Sequence, residues 1–297
     1  MKILKKFFVR CGWACFYRRK TTSILQNNLH TDQPFKQLIA SWRYWCADPF
    51  IVKEKDKYYV FCELMDIKTS SALLGIAELN PSGKTYVRPI ADLKCHVSYP
   101  NVFKIKDTWY MIPETSNRKT IELYKAIKFP YEWEKIATLA NNINAADTTV
   151  FVQDNKYYIF IYEQNYNPDK LSIAHLNLET FKLENVCSVM EYYTRVGRPA
   201  GNIFVEGDKY YRPVQYGINE YGEKIFVYRF VFDVINKKYK EEKVKELSLA
   251  DFDEKLEKQG FKCCHTYNSV GDFEVIDTKY AKISLLKPIY WIMKHFV

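Results

Sequence analysis

The sequence lacks the long apolar run that a membrane-spanning helix requires. None of its 297 residues falls in a stretch of about 20 apolar residues. The basic start resembles a signal peptide only superficially, because Arg10 interrupts its short apolar run and no small-residue cleavage site follows. Only 10 glycines and 11 prolines are present, which excludes a collagen-like or low-complexity chain. These absences lead us to expect a cytoplasmic protein.

The cysteines lack the spacings of a disulfide framework or a zinc site. There are 8 of them, and none forms a C-x-x-C pair with a matching histidine pair. Free, buried thiols in a reducing compartment fit this pattern best. We therefore expect no metal and no other cofactor.

The sequence is rich in aromatic residues, and its positive charge is concentrated near the N-terminus. Aromatic residues make up 16% of the chain, and such side chains pack well on the pleated surface of a sheet. The net charge is +9, but seven positive residues precede the first acidic residue, Asp32. The remainder of the chain is nearly balanced, and because it carries no recognition motif we expect no nucleic-acid partner.

A β-hairpin pattern recurs at a period of about 50 residues. Its copies occupy residues 47–61, 99–112, 147–160 and 200–211, with a degenerate fifth copy at 270–280. The first four copies carry an Asp or Asn at the same turn position, where these residues tolerate tight-turn dihedrals. The turn residues are Asp56, Asp107, Asn155 and Asp208.

This period predicts an all-β fold, a five-bladed β-propeller. A β-sandwich built from hairpins is the rival interpretation, but it does not explain a fixed spacing. We expect a basic amphipathic segment at 1–40, the propeller at 41–285 and a short amphipathic tail at 286–297.

Equivalent positions of the repeat predict a cluster of polar side chains at one end of the central channel. The innermost strands of the blades surround the axis, so Asp48, Tyr99 and Asp147 should lie around one channel mouth. Reflection across each hairpin turn predicts that these residues face the second strands of their hairpins. The expected cross-strand pairs are Asp48 with Glu63, Tyr99 with Glu114, Asp147 with Tyr162, and Ala200 with Gln215.

Cationic and amide side chains flank the later copies. Arg198 and Arg212 belong to the fourth, and His265 and Asn268 precede the fifth. Acids, amides and aromatic rings together suit a polyhydroxylated ligand such as a sugar. Structural alternatives exist for single residues: Asp48 before Pro49 as a turn starter, Asp147 as a strand-end cap, and Glu63 and Glu114 as solvated rim residues. Arg198 could merely neutralise the acids, and His265 could be a core histidine.

Five ordered motifs resemble a known family. They are WCADPFIV (45–52), SYPNVF with IPETS (98–103, 112–116), AADTTVF (145–151), GRPAGNIF with YRPVQ (197–204, 211–215) and HTYN (265–268). The series is similar to the N-terminal domain of glucosamine inositolphosphorylceramide transferases and its stand-alone bacterial relatives. More distantly it resembles five-bladed glycoside-hydrolase propellers such as arabinanases, β-xylosidases and levansucrases.

The hydrolase resemblance implies catalytic roles for two carboxylates and requires an acid from elsewhere. Asp48 matches the first-blade general base or nucleophile, and Asp147 matches the Asp that tunes the acid. The position of the general-acid Glu reads Arg-Pro-Ala-Gly here, so that acid is missing and Glu114 is the candidate substitute. Substrate contacts are expected from Glu63, Tyr99, Arg198, Arg212, Gln215, His265 and Asn268.

The transferase resemblance implies a role in building a surface polysaccharide or glycolipid. Because arginine binds phosphate bidentately, Arg198 and Arg212 suggest a sugar phosphate, a nucleotide-sugar or a phospholipid-linked sugar. Three functions stay open: a sugar-active enzyme, a non-catalytic glycan-binding propeller that positions a partner glycosyltransferase, and a structural scaffold that binds no sugar.

Basic and aromatic residues at both ends suggest an anionic membrane surface as a further partner. The first 20 residues mix apolar and basic positions at roughly helical spacing, and the last 14 carry Trp, Tyr and Lys. We therefore expect peripheral attachment at the inner face of the membrane. The alternative is that both ends pack on the propeller and close its last blade.

Overall fold

The predicted five-bladed β-propeller is confirmed. A computed structural model describes residues 9–91, 93–164, 167–194 and 196–283, and within them five antiparallel sheets of four or five strands succeed one another. The predicted tail at 286–297 and the first eight residues lie outside the described part. No helix among the described residues has the length and apolarity to cross a bilayer.

The chain enters the fold through two strands of the last blade and then builds blades 1 and 2. The first two strands are β1 (Val9–Arg19) and β2 (Lys36–Gln37). Blade 1 contains β3 (Tyr44–Glu54), β4 (Lys57–Asp66), β5 (Ser71–Glu78) and β6 (Arg88–Ala91). Blade 2 contains β7 (Ser98–Ile105), β8 (Thr108–Thr115), β9 (Thr120–Lys128) and β10 (Glu132–Asn141), with a 3-10 turn at Ser116–Arg118.

Blades 3 and 4 repeat this arrangement, and blade 5 closes the ring. Blade 3 contains β11 (Ala145–Gln153), β12 (Lys156–Glu163), β13 (Asp169–Asn177) and β14 (Lys182–Tyr192). Blade 4 contains β15 (Val196–Pro199), β16 (Phe204–Glu206), β17 (Lys209–Tyr216), β18 (Lys224–Asp233) and β19 (Lys238–Leu247). Helix α1 (Leu249–Lys258) leads to β20 (Phe261–Lys262), β21 (Tyr267–Val270) and β22 (Phe273–Ile283) of blade 5.

The N-terminal strand is part of the propeller, which corrects the expectation of a separate amphipathic segment up to residue 40. Strand β1 pairs with β22 along its whole length, from Val9 opposite Ile283 to Arg19 opposite Phe273. The alternative interpretation was that both ends of the chain close the last blade. For the N-terminal end this interpretation is correct.

Burial on both faces explains why β1 did not look like a strand in the sequence. Ala14 and Phe16 pack into the core shared with blade 4, whereas Cys15 and Tyr17 pack into the core shared with blade 1. A strand that is covered on both sides reads as a continuous apolar run without the alternation of a half-exposed strand.

The hydrophobic cores lie between neighbouring blades rather than at the channel. Five apolar clusters join successive pairs of blades, and each is rich in aromatic rings, such as Phe61 against Trp133 between blades 1 and 2. Helix α1 contributes Leu249, Phe252 and Leu256 to the cluster between blades 4 and 5. Because the apolar surface is buried between the blades, the channel is left to polar side chains.

Candidate functional site

The innermost strands of blades 1 to 3 share a bulge at one position. Asp48, Tyr99 and Asp147 occupy it and have φ values of 49°, 44° and 49°. Non-glycine residues rarely adopt positive φ, and the strand register shifts at each of the three positions. A bulge re-aims a side chain. The sequence-based prediction that Asp48 and Asp147 meet at one site is consistent with this equivalence.

The bulges displace the predicted cross-strand pairs by one residue. Glu63 faces Ala47, Glu114 faces Ser98, and Tyr162 faces Ala146. The expected pairs with Asp48, Tyr99 and Asp147 were wrong in register, because reflection across the turn assumed a regular strand. In blade 4 the expected partner of Gln215, Ala200, instead donates its backbone N–H to the carbonyl of Pro213.

His265 stands between two buried carboxylates. Its Nε2 lies 3.1 Å from Oδ1 of Asp48, and its Nδ1 lies 2.9 Å from Oδ2 of Asp277. The ring also packs on Trp13, with centroids 4.1 Å apart. Burial opposes the charged form of His265, but Asp277, Tyr221 and Asp48 outweigh it and hold the pKa of the imidazole well above 6.5. The charged imidazolium form is therefore favoured between the two carboxylates.

Asp48 and Asp277 also tie blade 5 to blades 1 and 2. Oδ2 of Asp277 accepts a hydrogen bond from the backbone N–H of Asp48 at 3.0 Å. Oδ2 of Asp48 in turn accepts one from the backbone N–H of Tyr99 at 3.2 Å. The hydroxyl of Thr266 donates to Oδ1 of Asp48 at 2.9 Å. Both carboxylate oxygens of Asp48 are thus engaged.

The same three side chains are the group best placed to gather around a metal ion among the described residues. Asp48, His265 and Asp277 each offer one ligand atom, and these atoms lie within 4.8 Å of one another. However, each ring nitrogen faces a different carboxylate, so one ion could not replace both contacts. The arrangement suits an imidazolium better than a metal.

A second cluster surrounds Asp147, whose side chain is fully buried. Nη2 of Arg198 lies 3.1 Å from Oδ1 of Asp147 and 3.2 Å from Oε2 of Glu114. Nε2 of Gln215 donates to Oδ2 of Asp147 at 2.7 Å, and the backbone N–H of Asp147 donates to Glu114 at 3.2 Å. Burial raises the pKa of Asp147, with the charge of Arg198 opposing the shift.

Glu63 and Asp48 have opposite pKa shifts. Burial and the charge of Asp48 raise the pKa of Glu63 well above its usual value. Burial works against ionisation of Asp48 as well, but the charges of His265 and Arg198 lower its pKa overall. Oε1 of Glu63 lies 3.5 Å from Nε2 of His96, a residue that the sequence did not single out. The environment thus favours the protonated form of Glu63 and the ionised form of Asp48.

Tyr99 and Asn268 lie in the interior of the channel. The Tyr99 hydroxyl accepts from the N–H of Gly201 at 2.8 Å and lies 2.9 Å from the hydroxyl of Thr149. Asn268 donates to the carbonyl of Pro49 at 2.8 Å and accepts from the N–H of Asn202 at 2.6 Å. Both side chains link different blades, so their polar atoms are engaged in hydrogen bonds within the protein.

Arg212 lies outside the cluster. Its Nε donates to Oε2 of Glu241 at 2.7 Å, and its Nη1 donates to the carbonyl of Gly197 at 3.0 Å. The Tyr192 hydroxyl of blade 3 accepts a further hydrogen bond from Nη2 at 2.5 Å. The sequence offered Arg212 as a phosphate contact, but the structure places it as a buried link between blades 3 and 4.

An open pocket of about 500 Å³ lies above Arg198. Four tyrosines line it, and Arg198, Gln164, Asn167, Asp169 and Gln215 supply polar groups. The tyrosines are Tyr162, Tyr192, Tyr193 and Tyr221. The pocket is therefore lined by aromatic rings and by Arg198, which also contacts the carboxylates of Asp147 and Glu114.

Sequence reasoning missed Asp277, Trp13 and Tyr221. Asp277 stood in the degenerate fifth copy of the repeat, whose hairpin is shorter than the others, so its carboxylate was not recognised as part of the site. Trp13 belongs to β1, which was assigned outside the propeller. Tyr221 lies in the loop between β17 and β18, where no repeat position marks it.

Fold and site together define a five-bladed propeller with a buried carboxylate cluster beneath an aromatic pocket. The family model described as "Glucosamine inositolphosphorylceramide transferase 1, N-terminal" matches residues 36–266. The chain therefore belongs to this family, as its motifs indicated.

Relatives with this name match part of the chain. The protein from Oryza sativa subsp. indica is 28% identical over 204 residues, which cover 66% of this chain and 27% of the relative. The protein from Arabidopsis thaliana is 29% identical over 116 residues, covering 38% of this chain and 15% of the relative. The matches thus span about a quarter or less of the relatives' length.

Solved structures share the fold at low sequence identity. A thermostable family-43 glycoside hydrolase has a TM-score of 0.57 at 12% identity, covering 80% of this chain and 89% of that chain. An α-L-arabinofuranosidase from Lactobacillus brevis has a TM-score of 0.53 at 12% identity, covering 77% and 81%. At this identity the likeness establishes the propeller fold alone.

Proposed function

We propose that this chain is a carbohydrate-binding propeller that holds a sugar in the tyrosine-lined pocket for a partner glycosyltransferase. The name of its family refers to glucosamine transfer onto a glycolipid, which supports a role in glycolipid or surface-polysaccharide biosynthesis. We place this role in the cytoplasm, at the inner face of the membrane.

The pocket carries this proposal. Aromatic faces pack on the apolar face of a sugar ring, while amides and carboxylates bond to its hydroxyls. Tyr193 is 76% exposed and Tyr221 is 48% exposed, so their rings are accessible to a ligand. Gln164 and Asn167 also line the pocket and supply polar groups.

The contacts of Arg198 argue for a neutral sugar or an amino sugar rather than a sugar phosphate. Its guanidinium already meets Asp147 and Glu114. A phosphate would have to compete with both carboxylates, and it would be repelled by them. Glucosamine is therefore the first ligand to test.

The hydrogen bonds that Asp48 and Asp147 already accept favour a sugar-binding function over a catalytic one. The two carboxylate oxygens of Asp48 accept hydrogen bonds from the Thr266 hydroxyl and the backbone N–H of Tyr99. The carboxylate oxygens of Asp147 accept hydrogen bonds from Arg198 and Gln215. A general base needs access to the proton that it removes, and Asp147 has no exposed surface. These carboxylates serve to join the blades and to position Arg198.

The pKa difference between Glu63 and Asp48 favours a second candidate, a sugar-active enzyme. Two carboxyl groups whose environments push their pKa values apart are typical of acid–base pairs. In this alternative Glu63 donates a proton and Asp48 stabilises positive charge, with Glu114 as a further candidate acid.

Calorimetric titration with glucosamine, N-acetylglucosamine and glucosamine 6-phosphate tests the binding function. We expect the first two to bind more tightly than the phosphate, and Tyr221→Ala to weaken binding about tenfold. Tyr86→Ala is the matched control, because Tyr86 is 60% exposed and lies outside the pocket. If no sugar binds, or if both variants behave alike, the proposal fails.

Asp48→Asn separates the two candidates. In the binding function the variant keeps its sugar affinity within about threefold, since Asp48 does not line the pocket. If the wild type instead turns over an activated sugar and the variant binds it without turnover, the enzyme candidate replaces the binding function.

A further inference from the structure

Two basic residues face each other directly across the strand pair that closes the ring. Arg10 of β1 is the register partner of Lys282 of β22. Directly opposite residues of an antiparallel pair share a face, and like charges in this position are destabilising. Neither side chain forms a salt bridge with a carboxylate within the described ranges. An anion that neutralises both charges would therefore stabilise this pairing.

A crevice between blades 5 and 1 contains both residues. It encloses about 310 Å³, and Arg10 and Lys282 are the only charged residues among those described along its walls. Much of the remaining lining is aromatic, including Trp42, Trp45 and Tyr280. A cavity with two cations, aromatic walls and no lining acid suits an anionic group attached to an apolar body.

Arg10 has an unused donor in this crevice. Its Nη2 donates to the carbonyl of Tyr44 at 3.1 Å, whereas its Nε is buried without a hydrogen-bond partner in the described part of the chain. A buried donor without an acceptor is costly. Lys282 has its ammonium over the ring of Phe261, 4.5 Å from the centroid, which leaves its hydrogen-bond donors available.

We propose that this crevice binds the phosphate of an anionic phospholipid headgroup and docks the propeller on a membrane surface. A phosphate oxygen would accept from Nε of Arg10 and lie between the two cations. Trp42 is 58% exposed at the crevice, and indole rings favour the boundary between headgroups and acyl chains. The site is separate from the tyrosine-lined pocket, so it does not depend on the sugar-binding proposal.

Vesicle flotation with the full chain tests this site. Vesicles contain phosphatidylcholine alone or phosphatidylcholine with phosphatidylglycerol. We compare the wild type with the double variant Arg10→Gln/Lys282→Gln and with the control Lys156→Gln/Lys209→Gln, whose exposed lysines begin β12 in blade 3 and β17 in blade 4. Both double variants remove two positive charges, so they have the same net charge.

We expect binding only to the phosphatidylglycerol vesicles, unchanged in the control and weakened roughly 30-fold in Arg10→Gln/Lys282→Gln, as for two basic residues near an anionic surface. Equal weakening of both double variants would mean that general charge, and not the crevice, drives attachment. No binding by the wild type, or equally tight binding of soluble glycerol 1-phosphate, would also overturn the proposal.

Fluorescence gives an independent readout of the orientation. Brominated acyl chains should quench the wild type, and Trp42→Phe should remove most of that quenching while thermal unfolding stays unchanged. Undiminished quenching in Trp42→Phe would show that another part of the chain touches the membrane, which contradicts docking through this crevice.

Discussion

Arg198 in blade 4 binds both carboxylate oxygens of Asp147 in blade 3, and the same guanidinium reaches Glu114 in blade 2. One side chain thereby joins three blades at the channel mouth. Asp147 is fully buried, so an ionised Asp147 has no solvent to compensate its charge if the arginine is removed.

Arg198→Gln should therefore lower the free energy of unfolding by about 3–5 kcal/mol, the cost of leaving a buried charge unpaired. Urea denaturation measures this change. Adding Asp147→Asn should recover part of the loss, because the uncompensated charge is then absent. The control Arg229→Gln breaks an exposed pair with Glu242 and should cost less than about 1 kcal/mol. Equal costs for the two arginines would contradict the role given to Arg198.

The pKa of His265 predicts a pH dependence of stability. Because the folded protein raises this pKa above 6.5, the stabilising contribution is complete below pH 6.5 and is lost as the pH rises through the folded-state value. The difference in unfolding free energy between the wild type and His265→Gln should therefore shrink as the pH is raised from 6 into the alkaline range. Denaturation at a series of pH values measures it, and a constant difference would contradict a charged imidazole.

Neighbouring arginines on β1 test the assignment of the N-terminal strand. Arg18 is buried and its Nε lies 2.6 Å from Glu274, with further bonds to the carbonyls of Phe252 and Leu29. Arg18→Ala should cost about 3–5 kcal/mol of unfolding free energy.

Arg19, the adjacent residue, is exposed, so Arg19→Ala should cost less than about 1 kcal/mol. Chemical denaturation of both variants gives the comparison. If neither substitution changes stability, the strand does not contribute to the fold.

Two glycines of blade 4 form a matched pair that tests how tightly the channel is packed. At Gly201, with φ of +139°, an added Cβ would lie 2.0 Å from the carbonyl oxygen of Tyr267. At Gly207, with φ of +66°, an added Cβ would meet nothing within 4 Å.

Gly201→Ala should therefore lower the free energy of unfolding by about 3 kcal/mol or more, whereas Gly207→Ala should cost only about 1 kcal/mol of backbone strain. Thermal unfolding followed by circular dichroism compares them. Similar melting temperatures for the two variants would show that the channel adapts to the extra carbon.

The repeat made the fold predictable, because every blade carries the same hairpin and the hairpin spacing equals one blade. It also led to Asp48, Asp147 and Glu114, since equivalent positions of a rotated unit surround one axis. The repeat did not predict the strand register at Asp48 and Asp147. A bulge depends on the local backbone conformation, which an alternating sequence pattern does not record.

Residues outside the repeat were not predictable in the same way. Strand β1 comes from the opposite end of the chain to β22, and no local signal reports a pairing over that separation. Arg212 illustrates the reverse problem: its motif placed it near the site, but Glu241 on β19, two strands away in the same sheet, pairs with its charge. The sequence reveals which charges are present, whereas tertiary packing decides which of them remain available.

Closure of the ring by β1 and β22 has a consequence for biosynthesis. Strand β1 leaves the ribosome long before β22, so blade 5 cannot assemble until the propeller has been translated through β22. In the meantime β1, apolar on both faces, has no covering partner. We expect nascent chains that stop before β22 to recruit chaperones through this strand.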